Sequence, residues 1–263
     1  AKTEDQSDNP DFDTDELTFS YQQLFRDERF SGSDRISDAE QLTVALTTRL
    51  IDASSGIERM HASIGQVFYL DDREVALNYG ANNEELRRDD SDLAAEFGAQ
   101  LNNRWRLQSD ILYNDSSDRV NKGSFSLRYS GTEKARFNAT YRYTREDPRL
   151  VGGEEFDADI EQADLSAYLP ISRRWSLIGR WNQDLTNSRE LEVFGCIEYN
   201  SCCWRAAIIA RHWLDRDDDE LIPEEELEYD DGIFFQIQLK GLAGTGGALD
   251  SILSDGIYGY EAR

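Results

Sequence analysis

Two adjacent cysteines, Cys202 and Cys203, carry the most reactive side chains of this sequence and lie in residues 199–204 (YNSCCW). Adjacent cysteines rarely bond to each other, because the short linkage strains the peptide between them. The chain has 3 cysteines, and the third is Cys196. It can therefore supply a partner for at most one of the pair, which points to partners outside this sequence. The alternative is that both thiols are small apolar side chains that fill a turn.

An acidic segment supplies a second candidate site, because its spacing partly matches a calcium-binding loop. The carboxylates of positions one, three, five and twelve would be those of Asp215, Asp217, Asp219 and Glu226. The glycine required at position six is replaced by Glu220, and no flanking helices are predicted. A solvated acidic loop is the favoured interpretation, with loose divalent-cation binding as the alternative. We predict no cofactor and no dedicated metal site.

His61 and Ser63 lie two residues apart on a predicted strand, a spacing similar to that of outer-membrane phospholipases. Those enzymes present the pair toward lipid, whereas neighbouring apolar side chains take that face here. Their following asparagine is also missing, because Ile64 and Gly65 occupy those places. The sequence therefore predicts a pair that lines a polar face and no enzymatic activity.

The charge balance excludes bare nucleic acid as a partner. Asp and Glu number 53 against 28 Lys and Arg, which gives a net charge of -25, whereas phosphate backbones require clustered basic residues. No apolar run approaches the ~20 residues of a membrane-spanning helix. Residues 1–8 lack the features of a signal peptide, and the chain begins without Met. We therefore expect an internal or processed fragment.

Alternation of apolar and polar residues with a period of two recurs along the chain and predicts an all-β fold. In residues 135–144, for example, Ala, Phe and Tyr alternate with Arg, Asn and Thr. The pattern predicts about 12 strands, many near the ~10 residues of a transmembrane barrel strand. The first is predicted on Leu17, Phe19 and Tyr21, and the last on Ile233, Phe235, Ile237 and Leu239.

The lengths of the predicted connections also alternate. Short ones, at 52–56, 102–104, 131–134, 172–174 and 200–203, alternate with acidic ones, at 26–40, 71–91, 114–121, 145–161, 184–190 and 215–231, most of which are longer. This asymmetry predicts an antiparallel transmembrane β-barrel with short periplasmic turns and long acidic extracellular loops. The alternative is a soluble sandwich or barrel, whose apolar face would form the interior.

Several stretches resemble the outer-membrane lipopolysaccharide-assembly family LptD. They are residues 24–36 (LFRDERFSGSDRI), 63–69 (SIGQVFY), 174–177 (RWSL), 199–204 (YNSCCW) and 235–242 (FQIQLKGL). The resemblance runs in the same order from Leu17 to Leu242. It implies a polar lead-in at 1–16, the C-terminal half of a larger barrel at 17–242 and a periplasmic tail at 243–263.

The resemblance also implies roles for particular residues. Cys202 and Cys203 would form long-range disulfides with cysteines of an N-terminal periplasmic part that this sequence lacks, while Cys196 has no assigned counterpart. The last strand, with Ile233, Phe235, Ile237 and Leu239, would be one side of a lateral gate.

The function that the resemblance implies is insertion of lipopolysaccharide into the outer leaflet of a Gram-negative outer membrane. The implied partners are lipopolysaccharide, outer-membrane lipid, a plug lipoprotein of the LptE type and, through the missing N-terminal domain, the periplasmic bridge protein LptA. The alternative is an independent 12-strand porin-like channel or barrel hydrolase. Such a barrel would pair its own first and last strands, because open edges are untenable in lipid.

Overall fold

The computed structural model describes residues 6, 10, 12–32, 34–38, 40–77, 85–131, 134–145, 149–151, 154–156, 159–214, 229–240, 253 and 256–258. These residues form an antiparallel sheet of 11 strands, a separate two-stranded hairpin and two 3-10 turns at Tyr21–Gln23 and Glu85–Arg87. The prediction of an all-β antiparallel fold is confirmed. No helix in this part of the chain has the length and apolarity needed to cross a membrane.

Within the 11-stranded sheet, strands that follow one another along the chain lie side by side. Its strands are β1 Gln41–Ile51, β2 Glu58–Tyr69, β3 Leu93–Gln100, β4 Trp105–Asn114, β5 Arg119–Ser130, β6 Arg136–Thr144, β9 Ile160–Pro170, β10 Trp175–Asp184, β11 Arg189–Asn200, β12 Trp204–Leu214 and β13 Tyr229–Leu239. They are hydrogen-bonded in that order, and β7 Arg149–Val151 pairs only with β8 Glu154–Phe156. This is the connectivity of an up-and-down sheet. Within the described residues, β1 and β13 each have one strand neighbour.

The strand predicted on Leu17, Phe19 and Tyr21 is wrong, so the sheet has 11 strands and begins at Gln41. The backbone groups of this segment bond locally: Gln23 N–H donates to Ser20 O at 2.9 Å, and Leu17 N–H donates to Arg29 O at 2.8 Å. Three alternating apolar residues are too few to distinguish a strand from a loop that packs its apolar side chains.

The chain forms two compact units, Ala1–Gly98 with Ser109–Gly123, and Ala99–Gln108 with Ser124–Arg263. In the first unit the loop before β1 packs against the sheet. Leu24 is buried with Val67, Ala94 and Leu112, and its backbone O accepts a 3.1 Å hydrogen bond from Thr43 Oγ1. Gly65 permits this approach, because a Cβ there would lie 2.7 Å from Leu24 Cδ1.

In the second unit the sheet has an apolar face and a polar face. The apolar face carries exposed side chains such as Leu165, Leu177, Ile197, Ile208 and Phe235. The polar face carries the alternating residues, among them Asp164, Arg180, Glu192 and Arg211. An apolar face on the exposed side is the arrangement of a strand that meets lipid, whereas a soluble barrel would bury these residues.

On the side of the sheet that carries the polar residues, the second unit also has an apolar patch. The C-terminal segment covers this patch. Ile178, Phe194 and Ile209 are at most 3% exposed, because Leu253 and Ile257 pack against them. Gly256 also lies here, and a Cβ on it would come within 2.8 Å of the Phe194 ring. The described residues of the tail therefore lie against the same face as the charged side chains.

Candidate functional site

The two adjacent cysteines lie in the turn 201–203 between β11 and β12, and this turn is fastened to the end of β13. Ser201 Oγ accepts hydrogen bonds from the backbone N–H groups of Cys203 and Trp204, both at 3.3 Å. Lys240 N–H donates to Cys203 O at 2.8 Å, and Lys240 Nζ donates to Ser201 O at 2.8 Å and to Asn200 Oδ1. The backbone that presents the thiols is therefore held on both sides.

Cys202 and Cys203 are exposed free thiols whose Sγ atoms lie 2.7 Å apart. Residues that fill space inside a turn would be buried, so their exposure favours the interpretation that they are accessible to partners elsewhere. Cys196 differs, because it is 3% exposed and packs in the apolar cluster with Phe194 and Ile209. The disulfides implied for the pair stay a prediction.

The pKa of the Cys203 thiol is raised by its hydrogen bond with Cys202 and by the charge that a Cys202 thiolate would place beside it, while Lys240 opposes the shift. Only the thiolate is nucleophilic, so a raised pKa leaves less of the reactive form at a given pH. Cys203 should therefore react more slowly than an ordinary exposed cysteine near pH 8.

Replacing Cys202 with alanine removes the two largest causes of the raised pKa of Cys203, the hydrogen bond and the charge of a Cys202 thiolate. We expect the midpoint of the alkylation-rate profile of Cys203 to move to lower pH, because more thiolate is then present at each pH. The rate is measured on reduced protein with iodoacetamide and mass spectrometry of the Cys203 peptide. Buried Cys196 is the internal control and should react slowly in both proteins. An unchanged Cys203 profile would contradict the coupling between the two thiols.

The predicted gate residues lie together on one exposed face of the last strand. Ile233, Phe235, Ile237 and Leu239 are 81%, 64%, 58% and 55% exposed. Phe235 is paired in register with Ile208 of β12, and within the described residues β12 is the sole strand neighbour of β13. Unpaired N–H and C=O groups are costly in a lipid environment, so this edge requires a further strand or another cover. Its role as a gate stays a prediction.

The polar face of the second unit carries a chain of ion pairs that the sequence pattern does not reveal. Arg180 Nη2 lies 2.6 Å from Asp164 Oδ2, and Arg180 Nη1 lies 2.6 Å from Glu192 Oε2. Arg211 Nε lies 2.6 Å from Glu192 Oε1. Alternation places these residues on one face, but strand register decides which of them meet.

Closer to the cysteines, Arg205 and Glu198 form a buried ion pair. Arg205 Nη1 lies 3.6 Å from Glu198 Oε2, and the two side chains are 3% and 4% exposed. The strand register places Arg205 opposite Asn200, the residue that precedes the cysteine turn. The pair therefore belongs to the same end of the sheet as the thiols.

Comparison with known proteins decides the family. The model of the family LPS transport system D, LptD, matches residues 1–175. The chain belongs to the LptD family.

Three curated relatives agree with this assignment and are each named LPS-assembly protein LptD. The protein of Saccharophagus degradans is 42% identical and covers 97% of the chain, that of Pseudomonas aeruginosa is 40% identical and covers 98%, and that of Ectopseudomonas mendocina is 37% identical and covers 99%. The chain spans 30% or 31% of the length of these relatives. The solved NanC porin aligns with 77% of this chain and 94% of its own chain, at 11% identity and a TM-score of 0.34.

The stretch 24–36, which carries much of the LptD resemblance, lies in a tightly bonded loop of the first unit. Arg29 Nη2 donates to Asp38 Oδ1 at 3.1 Å and to Val75 O at 2.8 Å. Asp34 Oδ2 accepts from the backbone N–H groups of Phe12 and Asp13 at 2.9 and 3.2 Å, which lowers the pKa of Asp34. These polar contacts tie the loop to neighbouring loop residues, while Leu24 packs it against the sheet.

Two candidate sites from the sequence remain in this LptD-family chain, the acidic segment and the pair His61 and Ser63. Asp215, Asp217, Asp219 and Glu226 lie outside the described residues, so the divalent-cation loop stays a prediction. No cluster of three or more potential metal ligands occurs within the described ranges. Ser63 Oγ donates to Glu96 Oε1 at 3.0 Å and His61 Nδ1 lies 2.9 Å from Glu58 Oε1, so each has its own carboxylate partner.

Proposed function

We propose that this chain is part of an outer-membrane protein that inserts lipopolysaccharide into the outer leaflet of a Gram-negative outer membrane. Its membership of the LptD family and the names of its relatives support this proposal over an independent porin-like channel or barrel hydrolase. The exposed apolar face of the sheet supports a location in the membrane.

The observation that carries the proposal is an apolar surface on β13 beside a polar face on the preceding strands. The outward side chains of β13, Ile233, Phe235, Ile237 and Leu239, are exposed and apolar, while the polar face of β9 to β12 carries paired arginines and carboxylates. An amphipathic glycolipid needs a polar path for its sugars and an apolar surface for its acyl chains. A strand edge at which these surfaces meet suits its sideways release into lipid.

The proposal includes partners beyond this chain. A lipoprotein of the LptE type would occupy the polar side of the barrel, and the bridge protein LptA would deliver lipopolysaccharide through the N-terminal part of the protein. Disulfides from Cys202 and Cys203 would hold the end of the barrel to that part. The exposure of both thiols supports such a connection.

A crosslinking experiment tests the proposed exit beside β13. A photoreactive amino acid replaces Phe235 in the full-length protein, and newly synthesised lipopolysaccharide is pulse-labelled in cells. We expect labelled lipopolysaccharide to crosslink at Phe235 early in the chase, because β13 borders the exit. Position 177 is the matched control: Leu177 is also exposed on the apolar face, and it lies in one cross-strand row with Ile197, Ile208 and Phe235.

At late times both positions should crosslink, since each faces lipid that then contains labelled lipopolysaccharide. Equal crosslinking at positions 235 and 177 from the earliest time points would count against release beside β13.

A further inference from the structure

An arginine-lined cavity of about 180 Å³ lies in the second unit at the end of the sheet with the short connections. Its lining includes Arg104 in the β3–β4 turn, Arg106 on β4, Arg128 on β5 and Arg136 on β6. Tyr258 of the C-terminal segment also lines it. Four guanidinium groups from four positions of the chain therefore surround one space.

The charge of this cavity is opposite to that of the chain. The sequence carries a net charge of -25, but no Asp or Glu is among the described residues that line the cavity. The partners that the structure gives these arginines are neutral. Arg128 Nη1 donates to Gln108 Oε1 at 2.8 Å, and its guanidinium lies 4.0 Å from the Tyr258 ring centroid. Arg136 Nη1 donates to Ala135 O at 3.3 Å.

Three arginines elsewhere on the polar face of this unit are neutralised within the chain. Arg180 and Arg211 each lie 2.6 Å from a carboxylate oxygen, and Arg205 lies 3.6 Å from Glu198. For the four cavity arginines, no ion pair with a carboxylate occurs within the described part of the chain. A guanidinium group stays protonated at any ordinary pH, so their mutual repulsion persists until an anion enters.

We propose that this cavity binds a phosphoryl group of an anionic lipid headgroup. Guanidinium groups offer paired N–H donors that match the oxygens of phosphate, and such charge-assisted hydrogen bonds are stronger than neutral ones. Asn138 at the same wall is already engaged, since its Nδ2 donates to Ser166 Oγ at 3.2 Å and to Tyr258 O at 3.4 Å. The donors for the anion are therefore the guanidinium groups, and a wall of several of them suits a compact dianion.

The identity of the headgroup rests on the proposed function, whereas anion binding itself does not. Short connections lie at the periplasmic end of an outer-membrane barrel, so the cavity would be reached by a phosphorylated glycolipid before its release at β13. Inorganic phosphate shares the same chemistry, and the experiment below separates these sources.

The test uses the full-length protein in detergent and its Arg128→Gln/Arg136→Gln variant. The probes are bisphosphorylated lipid A, the same lipid without phosphates, and inorganic pyrophosphate. Loss of a charge-assisted hydrogen bond weakens binding by roughly tenfold or more, so we expect at least that loss for the bisphosphorylated lipid and no change for the lipid without phosphates. Competition by pyrophosphate against the lipid would identify phosphoryl recognition alone; no competition would identify the whole headgroup as the ligand.

The matched control is Arg142→Gln, which removes an arginine from the same strand, β6, and the same face, outside the cavity lining. It should bind all probes as the unsubstituted protein does, and heat-modifiable mobility verifies that each variant is folded. Equal weakening for lipids with and without phosphates, no weakening at all, or loss of a protein partner alone would overturn the inference. Early crosslinking at Phe235 is scored separately, so a failure of this cavity is distinguishable from a failure of the proposed release path.

Discussion

Replacement of both Cys202 and Cys203 by serine should abolish the disulfide-linked form of the full-length protein, whereas either single replacement should largely preserve it. The two thiols are exposed and their Sγ atoms are 2.7 Å apart, so a partner cysteine that reaches one can reach the other. The turn that carries them is fixed by Ser201 and Lys240, so it should keep its position when one sulfur is lost. Non-reducing electrophoresis of outer membranes measures the linked form.

Loss of the link should also impair assembly in the outer membrane, because the barrel end is then no longer held to the periplasmic part of the protein. Cys196→Ser is the control. Cys196 is 3% exposed within an apolar cluster, so its loss should leave the electrophoretic pattern unchanged. A single Cys202→Ser or Cys203→Ser variant as defective as the double variant would contradict the interchangeability of the two thiols.

The sheet was predictable because its strands are long and strictly alternating. Residues 136–144 and 233–239 each repeat the two-residue pattern several times, and both segments lie in strands of the structure. The segment around Phe19 repeats it only briefly, and there the apolar side chains serve a loop that packs on the sheet. A short pattern records that side chains are buried, but not which hydrogen bonds the backbone makes.

Contacts that depend on register or on distant segments were not predictable from one sequence. Asp164, Arg180 and Glu192 meet because three adjacent strands align them, and a shift of one residue would place them on opposite faces. The sequence indicates only indirectly that a segment packs where Leu253 and Ile257 do. Apolar residues stand at positions where alternation predicts polar ones, namely Ile178, Phe194 and Ile209. Such interruptions of the pattern indicate a covered patch, but they do not identify the segment that covers it.

The cysteine pair was likewise only partly predictable from the sequence. Its adjacency in sequence made a bond between the two thiols unfavourable, and the structure adds their exposure and the fixed turn. The cationic cavity could not be predicted from the alternation of apolar and polar residues. Arg104, Arg106, Arg128 and Arg136 come from different strands and turns, and only the fold places them around one space without a carboxylate among the described lining residues.

Arg205→Gln should destabilise the protein far more than Arg49→Gln, although each removes an arginine that lies 3.6 Å from a glutamate oxygen. The Arg205–Glu198 pair is 3% and 4% exposed, whereas the Arg49–Glu58 pair is 64% and 40% exposed. Removing Arg205 leaves the charge of Glu198 buried without it, which costs about 3–5 kcal/mol. The exposed pair is screened by solvent and contributes at most about 1 kcal/mol.

The double variant Arg205→Met/Glu198→Leu separates charge burial from packing. Replacing both charges by apolar side chains of similar size removes the desolvation cost together with the attraction, so most of the stability lost in Arg205→Gln should return. Urea unfolding of the full-length protein in detergent measures the free energy of unfolding for each variant. If Arg205→Gln cost no more than Arg49→Gln, or if the double variant remained as unstable as Arg205→Gln, the buried charge would not be the cause. In the second case, the effect of Arg205 would have to come from the shape of its side chain against the neighbouring strands.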